Sequence, residues 1–169
     1  DRITEVLEVD SSIADPLDPA AGIQGGRVDF DKVSFHYEGA SGDPVLKDIS
    51  LTVMPGSTLG ILGATGSGKS TLVNLIPRFY DPTEGRVLID GTDIRQMDLD
   101  ALRGSIGMVL QDSVLFTGTI RENLLWGKPC ATEDEMVAAA KAAQAHSFVT
   151  AMPDSYETMI GQKGVNLSG

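Results

Sequence analysis

The chain has 169 residues, of which 41% are hydrophobic, and a formal net charge of −11. This length and composition suit one domain with a hydrophobic core, and the acidic excess argues against a protein that wraps nucleic acid, because few cations are available to neutralise phosphates. A single cysteine, Cys130, excludes an internal disulfide, and no apolar run approaches the length of a membrane span.

The first part of the chain predicts a linker followed by antiparallel strands. Apolar residues at helical spacing in residues 1–9 fit the end of a helix, and residues 11–26, rich in Asp, Pro, Ala and Gly, are typical of a linker. Apolar and polar residues alternate over 27–37 and 45–53, which predicts two half-exposed strands. Residues 58–62 predict a short buried strand that leads into a glycine-rich turn.

This turn is the most informative segment of the sequence. Residues 63–70 match G-x-x-x-x-G-K-[ST], the phosphate-binding loop (P-loop) of nucleoside triphosphatases. Glycines let successive backbone N–H groups point at an anion, and a helix predicted over 69–76 directs its N-terminal dipole at the phosphates. Lys69 can then reach the β- and γ-phosphates while the Ser70 hydroxyl ligates Mg²⁺. The candidate nucleotide-binding residues here are Gly63, Ala64, Thr65, Gly66, Ser67, Gly68, Lys69, Ser70 and Thr71.

After the P-loop, strand signals give way to a mostly helical region. A strand predicted over 86–90 ends in Asp90-Gly91, a strong hairpin signal. We further predict a short helix over 98–103, a buried strand over 106–110, a helix over 119–126 and an Ala-rich helix from 132, where Thr132 and Glu135 form a capping box, to about 146. This order of elements differs from that of a doubly wound dinucleotide-binding sheet.

Two residues outside the P-loop are candidate nucleotide contacts. Tyr37, at the end of the first strand, can stack on a purine base, although aromatic residues on strands more commonly pack in the core. Gln111 follows the strand predicted over 106–110, and its amide can ligate Mg²⁺ and orient a water molecule, although an isolated glutamine is normally a surface residue. Both interpretations of each residue stay open at this point.

Together with the patterned segment 114–123 and the closing residues 164–169, these features resemble the nucleotide-binding domain of an ATP-binding cassette (ABC) transporter of the multidrug or lipid exporter type. In this resemblance Tyr37 is the A-loop aromatic, residues 63–70 are the Walker A motif and Gln111 is the Q-loop glutamine. The last residues, Leu167, Ser168 and Gly169, match the first three positions of the L-S-G-G-Q signature.

The resemblance implies an α/β fold, the P-loop NTPase core of an ABC ATPase, with an antiparallel β subdomain, a helical subdomain and the C-terminal core strands missing. It divides the chain into a linker from an upstream transmembrane domain (1–26), the β subdomain and P-loop core (27–110), and the Q-loop and helical region (111–169). Since the sequence begins with Asp rather than Met, we expect it to be part of a longer protein.

The implied activity of the parent protein is ATP hydrolysis that drives export across the cell membrane, with this domain on the cytoplasmic side. ATP and Mg²⁺ are the implied ligands. The implied partners are a second nucleotide-binding domain, in a head-to-tail pair that joins Walker A of one copy to the signature of the other, and the transmembrane domain of the same polypeptide, with no nucleic acid.

The family's Walker B glutamate and switch histidine have no counterpart in the sequence. His36 and His146 lie elsewhere and are more typical of structural or surface residues. The chain by itself is therefore expected to contain no catalytic residue, with Gln111 only assisting, and to bind ATP–Mg at most.

Two alternative functions stay open from the sequence. Related soluble ATPases act in DNA repair, in chromosome maintenance or on the ribosome without a membrane domain. Alternatively, the chain is the degenerate, non-hydrolysing cassette of a heterodimeric exporter, although its Walker A and visible signature residues match the family pattern.

Overall fold

A computed structural model of the chain describes residues 11, 13–20, 22–39, 42–111 and 115–161. The chain divides into two compact units, Asp1–Met108 and Val109–Gly169. Residues 1–9, predicted as the end of a helix, and residues 164–169, which carry the predicted signature, lie outside the described residues. None of the described helices combines the length and apolar character needed to cross a bilayer.

The first unit contains an antiparallel sheet of four strands, β1 (Val28–Phe35), β2 (Leu46–Val53), β3 (Glu84–Ile89) and β4 (Thr92–Asp93). Their order in the sheet is β2-β1-β3-β4. The strands predicted over 27–37, 45–53 and 86–90 are thereby confirmed, with ends shifted by one or two residues.

The predicted turn at Asp90-Gly91 joins β3 to β4 and is also confirmed. Asp90 has a φ angle of 52° and Gly91 a φ angle of 82°. Positive φ at both central residues is the requirement of a type I′ turn, whose twist matches that of the strands it connects.

Besides the sheet, the described part of the first unit contains two short α-helices and a 3-10 helix. Helix α1 is Lys69–Asn74, the 3-10 helix is Ile94–Gln96 and α2 is Leu99–Gly104. The Asp98 carboxylate caps α2 by accepting a hydrogen bond from the Ala101 N–H at 2.8 Å. Helix α1 ends two residues earlier than predicted, and turns follow it.

One hydrophobic core holds these elements together. Its completely buried side chains come from the sheet, from the end of α1, from the 3-10 helix and from α2, and include Val33, Val87, Leu75, Ile94 and Leu102. The core therefore holds α1, the helix into which the P-loop motif leads, against the sheet.

The buried strands predicted over 58–62 and 106–110 are wrong. Neither segment is a strand, and Leu62 and Val109 are 97% and 95% exposed. A strand requires a neighbour that pairs with its N–H and C=O groups, and no segment among the described residues pairs with either one. Their apolar composition indicates a preference for burial but does not supply the partner that burial needs.

The second unit is mostly helical. It contains β5 (Gly118–Thr119), α3 (Ile120–Leu125), α4 (Glu133–Ala142), α5 (His146–Thr150), a 3-10 helix (Ser155–Glu157) and β6 (Met159–Ile160), which pairs with β5. Its core consists of Ile120, Met136, Ala140, Val149, Tyr156 and Ile160.

Reciprocal hydrogen bonds fix the start of the longest helix in this unit. The Thr132 hydroxyl accepts from the Glu135 N–H, and the Glu135 carboxylate accepts from the Thr132 N–H, so that the predicted capping box is confirmed. The helix ends at Ala142 rather than near residue 146, and Gln144, with a φ angle of 59°, separates it from α5.

Part of the predicted linker is hydrogen-bonded along the first unit. The Asp15 carboxylate accepts from the Leu99 N–H at 2.8 Å, and the Ala20 N–H donates to the Gln96 carbonyl at 2.7 Å. These bonds place a stretch with the composition of a linker against the 3-10 helix and the start of α2.

The Asp90 carboxylate attaches the end of the same stretch to the β3–β4 turn. Its Oδ2 accepts from the N–H groups of Gly25 (2.8 Å), Gln24 (2.9 Å) and Gly26 (3.1 Å), and its Oδ1 accepts from the Arg27 N–H (2.9 Å). These hydrogen bonds hold the pKa of the Asp90 carboxyl well below its usual range, because they stabilise the charged form.

We expect Asp90→Asn to destabilise the first unit and to make its stability depend less on pH in the acidic range. A carboxylate accepts all four hydrogen bonds, whereas an amide presents its NH₂ group to some of the same donors. Because the pKa is lower in the folded state than the unfolded value of about 3.9, Asp90 stabilises the fold above that pH, and the contribution is lost as the pH falls below it. Urea unfolding from pH 2 to 7 measures both effects.

The matched control for this experiment is Asp43→Asn, in the exposed loop between β1 and β2. Asparagine adopts the left-handed conformation of position 90 without added strain, so a loss of stability reports the hydrogen bonds. If Asp90→Asn keeps the wild-type slope of stability against pH below pH 4, the role of this carboxylate as an anchor is refuted.

Candidate functional site

The P-loop lies directly before α1, and two of its glycines are required by the backbone. Gly66 and Gly68 have φ angles of 82° and 84°, and Gly68 is the residue that caps α1. A Cβ atom at Gly68 would lie 2.9 Å from Leu46 Cδ2 and 3.0 Å from the Val45 carbonyl oxygen. The start of α1 therefore packs so closely against the start of β2 that only glycine fits.

The Lys69 side chain folds back into the P-loop. Its ammonium donates to the carbonyl oxygens of Ala64 at 2.7 Å and Gly63 at 2.9 Å, and it lies 3.4 Å from Ser67 Oγ. A positive charge thus lies inside the loop that the motif assigns to phosphate, within reach of an anion bound there.

The P-loop and Tyr37 line the same cavity, which has a volume of about 290 Å³. Its lining residues are Tyr37, Val45, Gly66, Ser67, Gly68, Lys69, Ser70 and Thr71. The lining thus combines an aromatic and an aliphatic side chain with the P-loop and the first turn of α1. A nucleotide, which has an apolar base at one end and anionic phosphates at the other, presents a group to match each of these.

Tyr37 is held in place by contacts on several sides. Its hydroxyl lies 2.9 Å from the Thr71 hydroxyl on α1, and its ring makes near-perpendicular contacts with Phe35 and Tyr80. Tyr37 thus packs against the core, the common position of a strand aromatic, and it also lines the cavity, while its stacking on a base stays a prediction.

The residues near the cavity are suited to Mg²⁺ bound mainly by phosphate. Ser70 supplies an exposed hydroxyl oxygen, and the described residues contain no group of three or more His, Cys, Asp or Glu side chains that would form a separate metal site. Mg²⁺ in nucleotide sites is typically held by one or two protein oxygens together with phosphates and water. The available ligands fit this arrangement.

The remaining predicted site residues belong to the second unit. Gln111 is exposed and follows a segment that is not a strand, so its role in nucleotide binding stays a prediction. Leu167, Ser168 and Gly169 lie outside the described residues.

Two residues near the cavity, Val45 and Tyr80, were not predicted from the sequence as part of the site. Val45 lines the cavity because β2 begins beside the P-loop, and Tyr80 contacts Tyr37 because the turns after α1 lead back toward β1. Neither belongs to a motif, and both approach Tyr37 only through tertiary structure.

Comparison with known proteins agrees with the resemblance of the sequence to ABC transporters. The family model of ABC transporters matches residues 46–169. The putative multidrug export ATP-binding/permease protein YgaD of Bacillus subtilis (strain 168) is 56% identical over 147 residues, and a putative multidrug export ATP-binding/permease protein of Staphylococcus aureus (strain NCTC 8325 / PS 47) is 50% identical over 147 residues. Each match covers 87% of this chain and 25% of the relative, so the chain spans about a quarter of the length of these relatives.

A solved structure of a bacterial Atm1-family ABC exporter with ATP bound has a TM-score of 0.88 and 40% sequence identity, and the match covers 99% of this chain and 30% of that one. This likeness confirms the predicted fold class, an ABC ATPase fold with an antiparallel sheet. The chain belongs to the ABC transporter family.

Proposed function

We propose that this chain is the ATP-binding domain of a membrane exporter and that it binds ATP with Mg²⁺ in the cavity between Tyr37 and the P-loop. The observation that carries the proposal is that an aromatic side chain, Tyr37, and a cationic one, Lys69, which are far apart in the sequence, line the same cavity. The names of the relatives support the exporter role, since each combines an ATP-binding and a permease function.

The proposal assigns distinct roles to five of the residues that line the cavity and a further role to Gln111, which does not line it. Tyr37 stacks on the adenine, while Gly66, Gly68 and Lys69 hold the phosphates. Ser70 and Gln111 ligate Mg²⁺, which neutralises charge on the phosphates when it is bound. Lys69 has three N–H donors, which now meet acceptors within the loop and suit phosphate oxygens equally well.

The complete site is composite in this proposal. Leu167, Ser168 and Gly169 form the start of the signature, of which Ser168 and Gly169 face the γ-phosphate bound by a second nucleotide-binding domain, and the two domains close head to tail over two ATP molecules. ATP binding drives closure, and hydrolysis with phosphate release reopens the pair. The region around Gln111 transmits this change to a transmembrane domain of the same polypeptide, with the cassette on the cytoplasmic side.

We expect the 169 residues alone to bind ATP but to hydrolyse it only at the background rate. Hydrolysis requires a group that polarises the attacking water; Gln111 only assists by orienting it, and we assign no residue of the chain to polarising it. Phosphate release from Mg·ATP, measured in parallel for the chain and for the full-length protein, tests this expectation. Rapid, Lys69-dependent turnover by the chain alone would contradict it.

A fractionation experiment tests the exporter part of the proposal separately. We expect the full-length protein in the membrane fraction, with ATPase activity after extraction in detergent. Recovery of an active ATPase in the soluble fraction would refute the export role while leaving ATP binding intact. If neither the full-length protein nor the chain binds ATP, the proposed function fails as a whole.

A further inference from the structure

Three aromatic rings form a cluster beside the P-loop cavity. The Tyr37 ring centroid lies 4.8 Å from that of Phe35 and 5.4 Å from that of Tyr80, with interplanar angles of 87° and 88°. The Phe35 and Tyr80 rings are 5.5 Å apart. All three pairs lie within the range over which aromatic rings attract one another, and the two contacts of Tyr37 have the favoured edge-to-face geometry.

Tyr80 joins this cluster from a separate part of the chain. It follows α1 and the turns of residues 75–78, and the Phe79 N–H before it is anchored on the Asn74 carbonyl at 3.2 Å. Tyr80 is 39% exposed, so it is not a typical core residue, and it is not among the residues that line the cavity. The function proposed above leaves Tyr80 without a role.

The contacts of Tyr37 restrict both of its side-chain torsions. The hydrogen bond to Thr71 fixes the position of the phenol oxygen, and the rings of Phe35 and Tyr80 limit rotation of the ring plane. If the ring has to become ordered when a ligand binds, its loss of conformational entropy weakens the binding of that ligand. A ring that is already held in place carries no such cost. Phe35 precedes Tyr37 by two residues on the same segment, so Tyr80 is the aromatic contact that joins Tyr37 to another element.

We propose that Tyr80 is a positioning residue for the nucleotide base, which acts by holding the Tyr37 ring in the orientation needed for stacking. This inference rests on the proposed binding of ATP in the cavity. It assigns Tyr80 no contact with the nucleotide. Its effect therefore concerns the base alone and not the phosphates, which bind at the P-loop.

The test compares ATP with inorganic tripolyphosphate, which carries the phosphates but no base, as ligands of the full-length protein in titration calorimetry. Tyr80→Leu is expected to weaken ATP binding roughly three- to tenfold and to leave tripolyphosphate binding unchanged. Tyr80→Phe keeps the ring contact and is expected to restore wild-type affinity for ATP. The matched control is Phe79→Leu, because Phe79 is 42% exposed and its ring faces the Arg103 guanidinium; it should leave both affinities unchanged.

A double-mutant cycle tests whether Tyr80 acts through Tyr37. In a Tyr37→Ala background no ring remains to be positioned, so Tyr80→Leu should cause no further loss of ATP affinity. A full additional loss in that background would overturn the inference, as would an unchanged affinity for ATP in Tyr80→Leu itself.

Tripolyphosphate binding also shows whether the variant folds. If Tyr80→Leu loses both ligands, Tyr80→Met, with a side chain that adapts to irregular space, repeats the measurement, and an equal loss of both ligands there overturns the inference. Failure of the wild-type protein to bind ATP refutes the proposed function instead, so that the two failures are distinguishable.

Discussion

Lys69→Ala is expected to lower ATP hydrolysis by the full-length protein by at least about 10²-fold, since removal of one preorganised donor to a developing oxyanion typically lowers kcat by 10²–10³-fold. Among the described residues that line the cavity, Lys69 carries the only charged side chain. Its ammonium would contact the phosphoryl group that accumulates negative charge during transfer. Phosphate release at saturating Mg·ATP measures the effect.

The structure gives Lys69 a second contribution, because its ammonium also ties the start of the P-loop to the start of α1. The hydrogen bonds to Gly63 and Ala64 disappear in the variant, so we expect weaker ATP binding as well as slower turnover. Lys69→Arg should not restore activity, because a planar guanidinium does not replace a compact ammonium in a closely fitted loop.

The control is Lys141→Ala, which removes an equal charge from the exposed surface of α4. It should hydrolyse ATP at the wild-type rate, so that a loss confined to Lys69 cannot be attributed to net charge. If Lys69→Ala retains more than about a tenth of wild-type hydrolysis, Lys69 is not the phosphate-binding lysine of this chain.

The elements that could be predicted from the sequence are those specified by local chemistry. The Asp90-Gly91 turn requires two left-handed residues, and both residue types adopt that conformation readily. The Thr132–Glu135 capping box is completed within one helical turn. In both cases the interacting groups are close in sequence, so the pattern contains all the information that the local structure needs.

The buried strands predicted over 58–62 and 106–110 show the limit of the same reasoning. Apolar composition indicates that a segment gains free energy from burial, but a strand also needs a hydrogen-bonded neighbour that can be distant in the sequence. Among the described residues neither segment pairs with another strand, and Leu62 and Val109 are accordingly exposed.

The part of the candidate site that is contiguous in the sequence could be predicted. The part that depends on contacts between distant segments of the chain could not. The P-loop motif identified residues 63–70 together. The resemblance to a family favoured base stacking for Tyr37, but only the structure shows its ring in contact with Tyr80. The anchoring of residues 24–27 by Asp90 was missed for the same reason, because these residues lie more than 60 positions from Asp90 in the sequence.

Gly85→Ala is expected to destabilise the first unit by roughly 2–5 kcal/mol, the sum of an overpacking term of about 1–3 and left-handed backbone strain of about 1–2. Gly85 lies in β3 opposite a bulge of β1, where the strand register shifts between Asp31 and Ser34. Its φ angle is 74°, and a Cβ atom there would overlap the carbonyl oxygens of Asp31 and Lys32. Because the overlapping atoms are backbone, no change of rotamer can relieve the contact.

Gly91→Ala separates the two contributions, because Gly91 also has a left-handed φ angle, of 82°, but a Cβ atom there meets nothing within 4 Å. Gly91→Ala should therefore lower the free energy of unfolding only by the backbone strain of about 1–2 kcal/mol. The additional loss of stability in Gly85→Ala then reports the contact with the β1 bulge. Urea unfolding of the three proteins under identical conditions gives both values. Equal destabilisation by the two variants would show that β1 moves away from β3 at little cost, in which case the bulge does not require glycine at position 85.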